Sequence, residues 1–331
     1  MRSLNIAFLQ RRNTRREALR SFSECLREAG HHVFGVREHA YADWQDADLL
    51  WIQGNANWFP AACRRLERVG TQRPRVLIWH TEPLPPRPGS GLRNNRLHLR
   101  EIVKIVLRHR QATDPYTNAA RLKKLWQVGL PDVLAISARS RQEFLTSCGI
   151  KSHFVPLGYA GESQGRLLGL QRDIDVLFLG TMQVPRRRRL VSHLRRSGIE
   201  VQTKGSWKGL EAWGENRTLL LNRTKILLSL QRHPGEFTGM RLILGMSNGA
   251  MVISEPIDQP DPYIPGRHYI EAPAGQMPAV VRYYLEHPDE RERVAMEGHR
   301  LMKDLTMQAS VRRILELVEA LEGCPRITSR T

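Results

Sequence analysis

The sequence predicts an α/β protein built from two parallel sheets, and three observations carry that expectation. Short apolar runs alternate with helix-spaced segments along the chain, the pattern of strands each followed by a covering helix. The 331 residues exceed one typical core and fit two domains of about 150. A polar, glycine-rich stretch at 160–172 (AGESQGRLLGLQR) separates one series of elements from the other and reads as a linker.

The first series opens with the buried-strand run Leu4–Leu9, followed by helical spacing over Arg15–Ala29 that Gly30 stops. His32–Val36, Ala47–Gln53 and Arg75–His80 are further short apolar strands. Asp132–Ile136, the helix Ser140–Cys148 with Gly149 as its cap, and Ser152–Pro156 complete a Rossmann-like domain, 1–159. The second domain, 173–331, starts with the strand Ile174–Leu179. It continues through the helix Arg187–Arg196, the strands Glu200–Thr203 and Lys225–Leu230, and the helix Met240–Ser247, which Gly239 opens and Gly249 closes. Strands Met251–Ser254 and His268–Glu271 follow. Three helices end the chain, Met277–Glu286, Pro288–Leu305 and Ala309–Leu321, and the last is expected to pack back on the N-terminal domain.

Composition narrows the class. Apolar content of 41% and charged content of 25% are ordinary for a globular protein. No apolar run reaches the roughly eighteen residues of a spanning helix, and the first residues enter a strand without a signal-peptide core. Cys25, Cys63, Cys148 and Cys324 are scattered and form no CxxC. They read as reduced thiols, so a cytoplasmic protein is expected. The net charge of +18 is less ordinary, with only eight lysines among the 51 basic residues. Such a surplus draws polyanions: nucleic acid, anionic lipid, phosphorylated glycans or nucleotides. The basic runs lack clustered aromatics and any recognised nucleic-acid module, so specific nucleic-acid binding is not expected.

Several motifs are resemblances to known glycosyltransferases. Residues 132–159 (DVLAISARSRQEFLTSCGIKSHFVPLGY) resemble the end of a GT-B acceptor domain. Gly180–Arg189 (GTMQVPRRRR) looks like the first loop of a donor domain. From Arg241 to Val318, small residues and Gly end a helix, a strand leads to an acidic residue, and "PG" with a strand precedes YYLEHPDERERVAMEG. That stretch resembles glycosyltransferases of the CgeB-like and group 1 type. The resemblance implies two Rossmann-like domains facing a cleft, a nucleotide-diphosphate sugar as donor, an unknown acceptor, and transfer without a metal or other cofactor.

It also implies roles for particular residues. Glu236 matches the glutamate that opens the loop before the donor helix and is the first catalytic candidate. The family's second glutamate, which holds the ribose, corresponds to Leu244, and Glu255 is a candidate substitute. Thr238, Gly239, Met240 and Arg241 form a loop and first helical turn suited to a diphosphate, by free N–H groups and a guanidinium. Gly180, Thr181, Arg187 and, more weakly, Lys225 complete the candidate donor contacts. His80, at a strand end beside Thr81 and Glu82, is a candidate general base or sugar-binding group, with Glu82 a second candidate base.

Other functions are less well served. Asp258 and Asp261 lie in a proline-rich loop and do not form the metal-binding DxD of GT-A enzymes. The chain lacks GxxxxGK before Ser or Thr, and lacks GxGxxG after its first strand. A P-loop ATPase and a dinucleotide-dependent dehydrogenase are therefore not expected. The segment His98–Val128 alternates Ile102, Val103, Ile105 and Leu122 with Arg100, Lys104, Lys123 and Lys124. It reads either as two covering helices or as a basic amphipathic surface for the inner face of an anionic membrane, which would point to a lipid-linked acceptor. A non-catalytic module that binds a nucleotide or sugar remains the alternative to the enzyme.

Overall fold

The computed structural model describes residues 2–10, 16–90, 103, 115–205, 212–232, 235, 237, 239–321 and 324. The chain divides into two compact units, Met1–Pro156 with Ser310–Thr331, and Leu157–Ala309.

In the first unit, strands β1 (Asn5–Leu9), β2 (His32–Val36), β3 (Leu49–Gly54), β4 (Arg75–His80), β5 (Val133–Ile136) and β6 (His153–Phe154) form one sheet in the order β2-β1-β3-β4-β5-β6. Every pairing in it is parallel. Both faces are covered, which is why the strands are continuous apolar runs. One face packs Val76, Ile78 and Leu134 against Ala62, Cys63 and Leu66 of α2 (Pro60–Val69) and Leu122 and Leu125 of α3 (Pro115–Gln127). Leu145 of α4 (Arg139–Ser147) joins the same cluster. The other face stacks Phe8 on Trp51 and sets Trp79 edge-on to Phe22 of α1 (Arg16–Glu28). Trp79 Nε1 is satisfied by the Val155 carbonyl at 3.0 Å.

The second unit has strands β7 (Ile174–Leu179), β8 (Gln202–Lys204), β9 (Thr224–Ser229), β10 (Met251–Ser254) and β11 (Ile270–Glu271), ordered β11-β10-β9-β7-β8 and again parallel throughout. Its helices are α5 (Pro185–Arg196), α6 (Gly214–Asn222), α7 (Met240–Ser247), α8 (Met277–Glu286) and α9 (Pro288–Asp304). Helix α10 (Met307–Glu319) starts in this unit and from Ser310 belongs to the first. There Ser310 Oγ donates to the Pro156 carbonyl at 2.8 Å. Two parallel sheets, each sandwiched by helices, are the α/β architecture expected from the sequence.

Residues 160–172, read above as a linker, are built into the second unit. Leu168 N–H donates to Asn222 Oδ1 at 2.8 Å, and Arg172 caps the carbonyls of Leu221, Thr224 and Asn248. Gly165 is obligatory here: its φ is +120° and a Cβ would stand 2.2 Å from the Asn248 amide. In the His98–Val128 segment, α3 buries Leu122 and Leu125 and packs Trp126 on the core, so that part is a covering helix. Apart from Val103, residues 98–114 lie outside the described residues. No described helix is long and apolar enough to cross a membrane.

Candidate functional site

Each sheet has one place where the chain leaves adjacent strands toward opposite edges. In an open parallel sheet this switch point leaves a crevice at the strands' carboxyl ends, where ligands bind. The strand orders put the crevices between β7 and β9 in the second unit and between β1 and β3 in the first.

At the β7/β9 crevice the structure gathers most of the donor candidates. Gly180 and Thr181 follow β7, and the Thr181 hydroxyl accepts from Gln183 N–H at 3.2 Å, shaping the turn into α5. Gly239 caps α7 in the left-handed region, at φ +78°, which a residue with a Cβ would adopt under strain. The first-turn N–H groups of α7, beginning at Met240, have no intrahelical acceptors, and with the helix dipole they make a ready anion seat. Arg241 leans from that turn across the crevice. Its Nε donates to the Leu179 carbonyl at 3.3 Å and its Nη1 to the Leu230 carbonyl at 3.2 Å, while the guanidinium lies over the Phe178 ring. A Cβ on Gly180 would come within 3.3 Å of Arg241 Nη2, so the glycine keeps this approach open.

The remaining candidates are placed differently. Arg187 is buried, donates through Nε to the Leu230 carbonyl at 3.0 Å and lies over Phe178. It braces the crevice from beneath. Glu255 is 3% exposed and is not a solvated strand-end acid. Its Oε2 accepts from Arg186 Nη1 at 2.7 Å and from the Gln231 N–H at 2.8 Å, and Oε1 pairs with Arg186 Nη2. A ribose hydroxyl would have to compete with these partners. Lys225 stands near the start of β9 and pairs with Asp175 at 2.5 Å. Four residues of strand, roughly 13 Å, separate it from the carboxyl end, so it does not join the group. Glu236 and Thr238 lie outside the described residues. Leu244 is 7% exposed, an apolar core position.

Sequence reasoning missed Arg186 as the partner of Glu255, and it missed Tyr263. The Tyr263 ring meets Phe237 edge-on, and its hydroxyl sits 3.4 Å from where a Gly239 Cβ would stand. Among the described residues that hydroxyl is buried without a hydrogen-bond partner, and burial pushes its pKa above the usual phenol range. A buried orphan hydroxyl is destabilising. Tyr263→Phe is therefore expected to stabilise the ligand-free protein by about 1 kcal/mol, read as a higher denaturation midpoint at constant m. A loss of stability would show that the hydroxyl has a partner in solution.

In the first unit, His80 ends β4 on the face that continues from Val76 and Ile78. Its ring is 1% exposed and, among the described residues, neither nitrogen makes a regular hydrogen bond. Burial, aided by the charge of Arg141 on the first turn of α4 and weakly opposed by the Glu82 backbone, lowers its pKa to about 3. So low a proton affinity suits a structural imidazole better than a general base. Glu82 beside it is partly exposed. The β1/β3 crevice holds a cavity of about 620 Å³, lined by Gln10, Arg37, Glu38, His39, Trp58 and Phe59 among others. None of these was singled out in the sequence. The available signal was that each lies shortly after the carboxyl end of a strand, Gln10 and Arg37 directly after theirs. Among the described residues, no group of three His, Cys, Asp or Glu is placed to hold a metal ion.

Comparison with known proteins gives a partial family match and a shared fold. Residues 186–316 match the family model described as glycosyl transferase-like. No curated protein matches the sequence. Among solved structures, the chain is similar to a sucrose-phosphate synthase from Thermosynechococcus elongatus, with a TM-score of 0.67 at 13% identity over 96% of this chain and 99% of that one. It is similar also to HepE of Anabaena in complex with UDP and glucose, with a TM-score of 0.64 at 8% identity over 96% of this chain and 100% of that one. AviGT4, a glycosyltransferase involved in avilamycin A biosynthesis, gives 0.58 at 13% identity over 97% of this chain and 98% of that one. The chain thus shares its fold with these glycosyltransferase structures, and the glycosyl transferase-like match covers residues 186–316.

Proposed function

We propose that the protein transfers a sugar from a nucleotide-diphosphate sugar to a glycan acceptor, with UDP-sugars the first donors to test. The single observation that carries this reading is the convergence at the β7/β9 crevice. There the α7 N-terminus, Gly239 and Arg241, all inside the segment that matches the glycosyl transferase-like family, meet Gly180. The crystal complex of HepE with UDP and glucose supports the choice of donor. In this reading the diphosphate sits on the first turn of α7, and Arg241 and the helix dipole neutralise the leaving group without a metal. Gly180 and Thr181 border the donor, and Met240 flanks the phosphates. Arg187 and Glu255 hold the crevice in shape. Glu236 acts at the anomeric carbon, where a carboxylate stabilises developing positive charge.

The test is turnover by the purified protein of UDP-, GDP-, ADP- and dTDP-sugars, with donor binding followed in parallel. Glu236→Gln is expected to lower kcat on the order of a hundredfold and to leave donor affinity nearly intact. Equal kcat in the two proteins removes Glu236 from the chemistry. A second reading, a non-catalytic sugar-nucleotide module, is favoured by the buried apolar Leu244 where the family resemblance places a ribose-binding glutamate. Donor binding without any hydrolysis or transfer would establish it.

A further inference from the structure

The cavity at the β1/β3 crevice has features that the donor site does not explain. It collects Gln10 from the end of β1, Arg37, Glu38 and His39 from the end of β2, and Trp58 and Phe59 from the segment after β3. Two glycines show that its lining is preset. A Cβ on Gly35 would stand 2.1 Å from Gln10 Nε2, so the glutamine side chain lies across bare backbone. A Cβ on Gly54, whose φ is +94°, would stand 2.5 Å from Trp58 Cζ3, so the indole lies across Gly54 in the same way.

Its charges are sorted. Glu38 Oε2 accepts from the Ala61 N–H at 2.8 Å, in the first turn of α2, and Oε1 lies 3.5 Å from His39 Nε2. Among the described residues the one carboxylate of the lining is thus engaged by a helix N-terminus and an imidazole. Arg37 and the Gln10 side chain are left over: among the described residues neither has a hydrogen-bond or ion-pair partner, and Arg37 is exposed. An aromatic wall, an amide with two donors and an acceptor, and an unengaged guanidinium together suit a polyhydroxylated ring bearing an anion. At about 620 Å³ the space falls within the usual range for small-molecule sites. The protein's net charge of +18 also draws such a ligand from solution.

We propose that this cavity binds an anionic saccharide, its phosphate or carboxylate on Arg37 and its ring against Trp58, and that this saccharide is the acceptor. The assignment as acceptor rests on the transferase reading above; the binding itself does not. Arg37 is the specificity-determining residue, because a guanidinium pairs bidentately with a phosphate or carboxylate and gains nothing from a neutral hydroxymethyl group.

Calorimetric titration of the full chain with glucose 6-phosphate, glucuronate and glucose tests it, with no donor present. At least one of the two anionic probes is expected to bind about tenfold or more tightly than glucose, and less tightly as salt rises. The ratio of glucose 6-phosphate to glucuronate distinguishes phosphate from carboxylate. Arg37→Ala, on an exposed loop, should bring both anions to the glucose level. Trp58→Ala should weaken all three, and Arg37→Ala alone decides the matter if that variant does not fold. Equal binding of all three probes, or no binding of either anion, overturns the proposal. So does anion binding that UDP displaces and Arg37→Ala leaves unchanged, since that places the anion on α7. Arg37-dependent binding in a protein that turns over no sugar nucleotide would sink the transferase reading and leave this site standing.

Discussion

Glu255→Ala is expected to lower the unfolding free energy by roughly 3 kcal/mol, because it breaks a buried ion pair from one side only. The carboxylate is 3% exposed and serves three donors, two on Arg186 and the backbone N–H of Gln231. Removing it leaves a part-buried guanidinium with the Gln231 carbonyl in place of a carboxylate, and a buried N–H without its acceptor, and an unmade buried bond costs more than a made one contributes. Glu255→Gln should fall between, since its amide oxygen still accepts from Gln231 while the charge attraction is lost. Denaturant titration at constant m gives both values. A ribose-binding role would instead show as weaker donor affinity at unchanged stability. A change below about 1 kcal/mol in Glu255→Ala would refute the ion pair as a structural brace.

The contrast between the two readings of Glu255 shows how far the sequence reaches. Strands such as β4, β7 and β10 were legible to the residue, because a parallel strand buried on both faces must be an apolar run bounded by turn residues. Helices α2 and α6 were not. The buried side of α2 is made of Ala62, Cys63 and Leu66, small residues that give a faint period. Helix α6 buries one leucine, Leu221, beside Arg217, Thr218 and Asn222, and Arg217 and Asn222 are inside because they bond to other parts of the chain. Asn222, for example, donates to the Arg166 carbonyl and to Asn248 Oδ1. Polar burial of that kind leaves no hydrophobic signal.

The candidate site divides along the same line. Gly239 and Arg241 were legible because a glycine before an apolar helix, after an apolar strand, states its geometry locally. What Arg186, Arg187 and Glu255 do depends on strands 40 to 70 residues away in sequence, and a single sequence carries no mark of that pairing. The cavity residues were hidden for a related reason: Gln10, Arg37 and Trp58 are ordinary surface types, and only the strand order β2-β1-β3 brings them together.

The acid sensitivity of the first unit is expected to trace in large part to His80. The ring is buried and its pKa falls from 6.5 to about 3, chiefly through loss of hydration and secondarily through Arg141. Between those two values the unfolded chain binds a proton that the folded chain does not. Stability therefore rises with pH across this window and is lost as pH falls below about 6.5, at about 1.4 kcal/mol per unit. From pH 6.5 down to 5 the loss from this one imidazole is about 2 kcal/mol. His31 and His153, and His268 in the second unit, whose pKa values burial also lowers, act with the same sign. Their share cancels when wild type and a His80 variant are compared at each pH. His80→Leu removes the titrating group and places an apolar side chain beside Ile78, so its stability should vary less between pH 7 and 5, by about 2 kcal/mol. Parallel curves for the two proteins would mean that the ring is hydrated in solution and free to take a proton. The same variant separates structure from catalysis. A general base contributes a hundredfold or more to kcat, whereas a neutral core imidazole contributes to stability, so transfer by folded His80→Leu at pH 7 is expected to stay within about threefold of wild type.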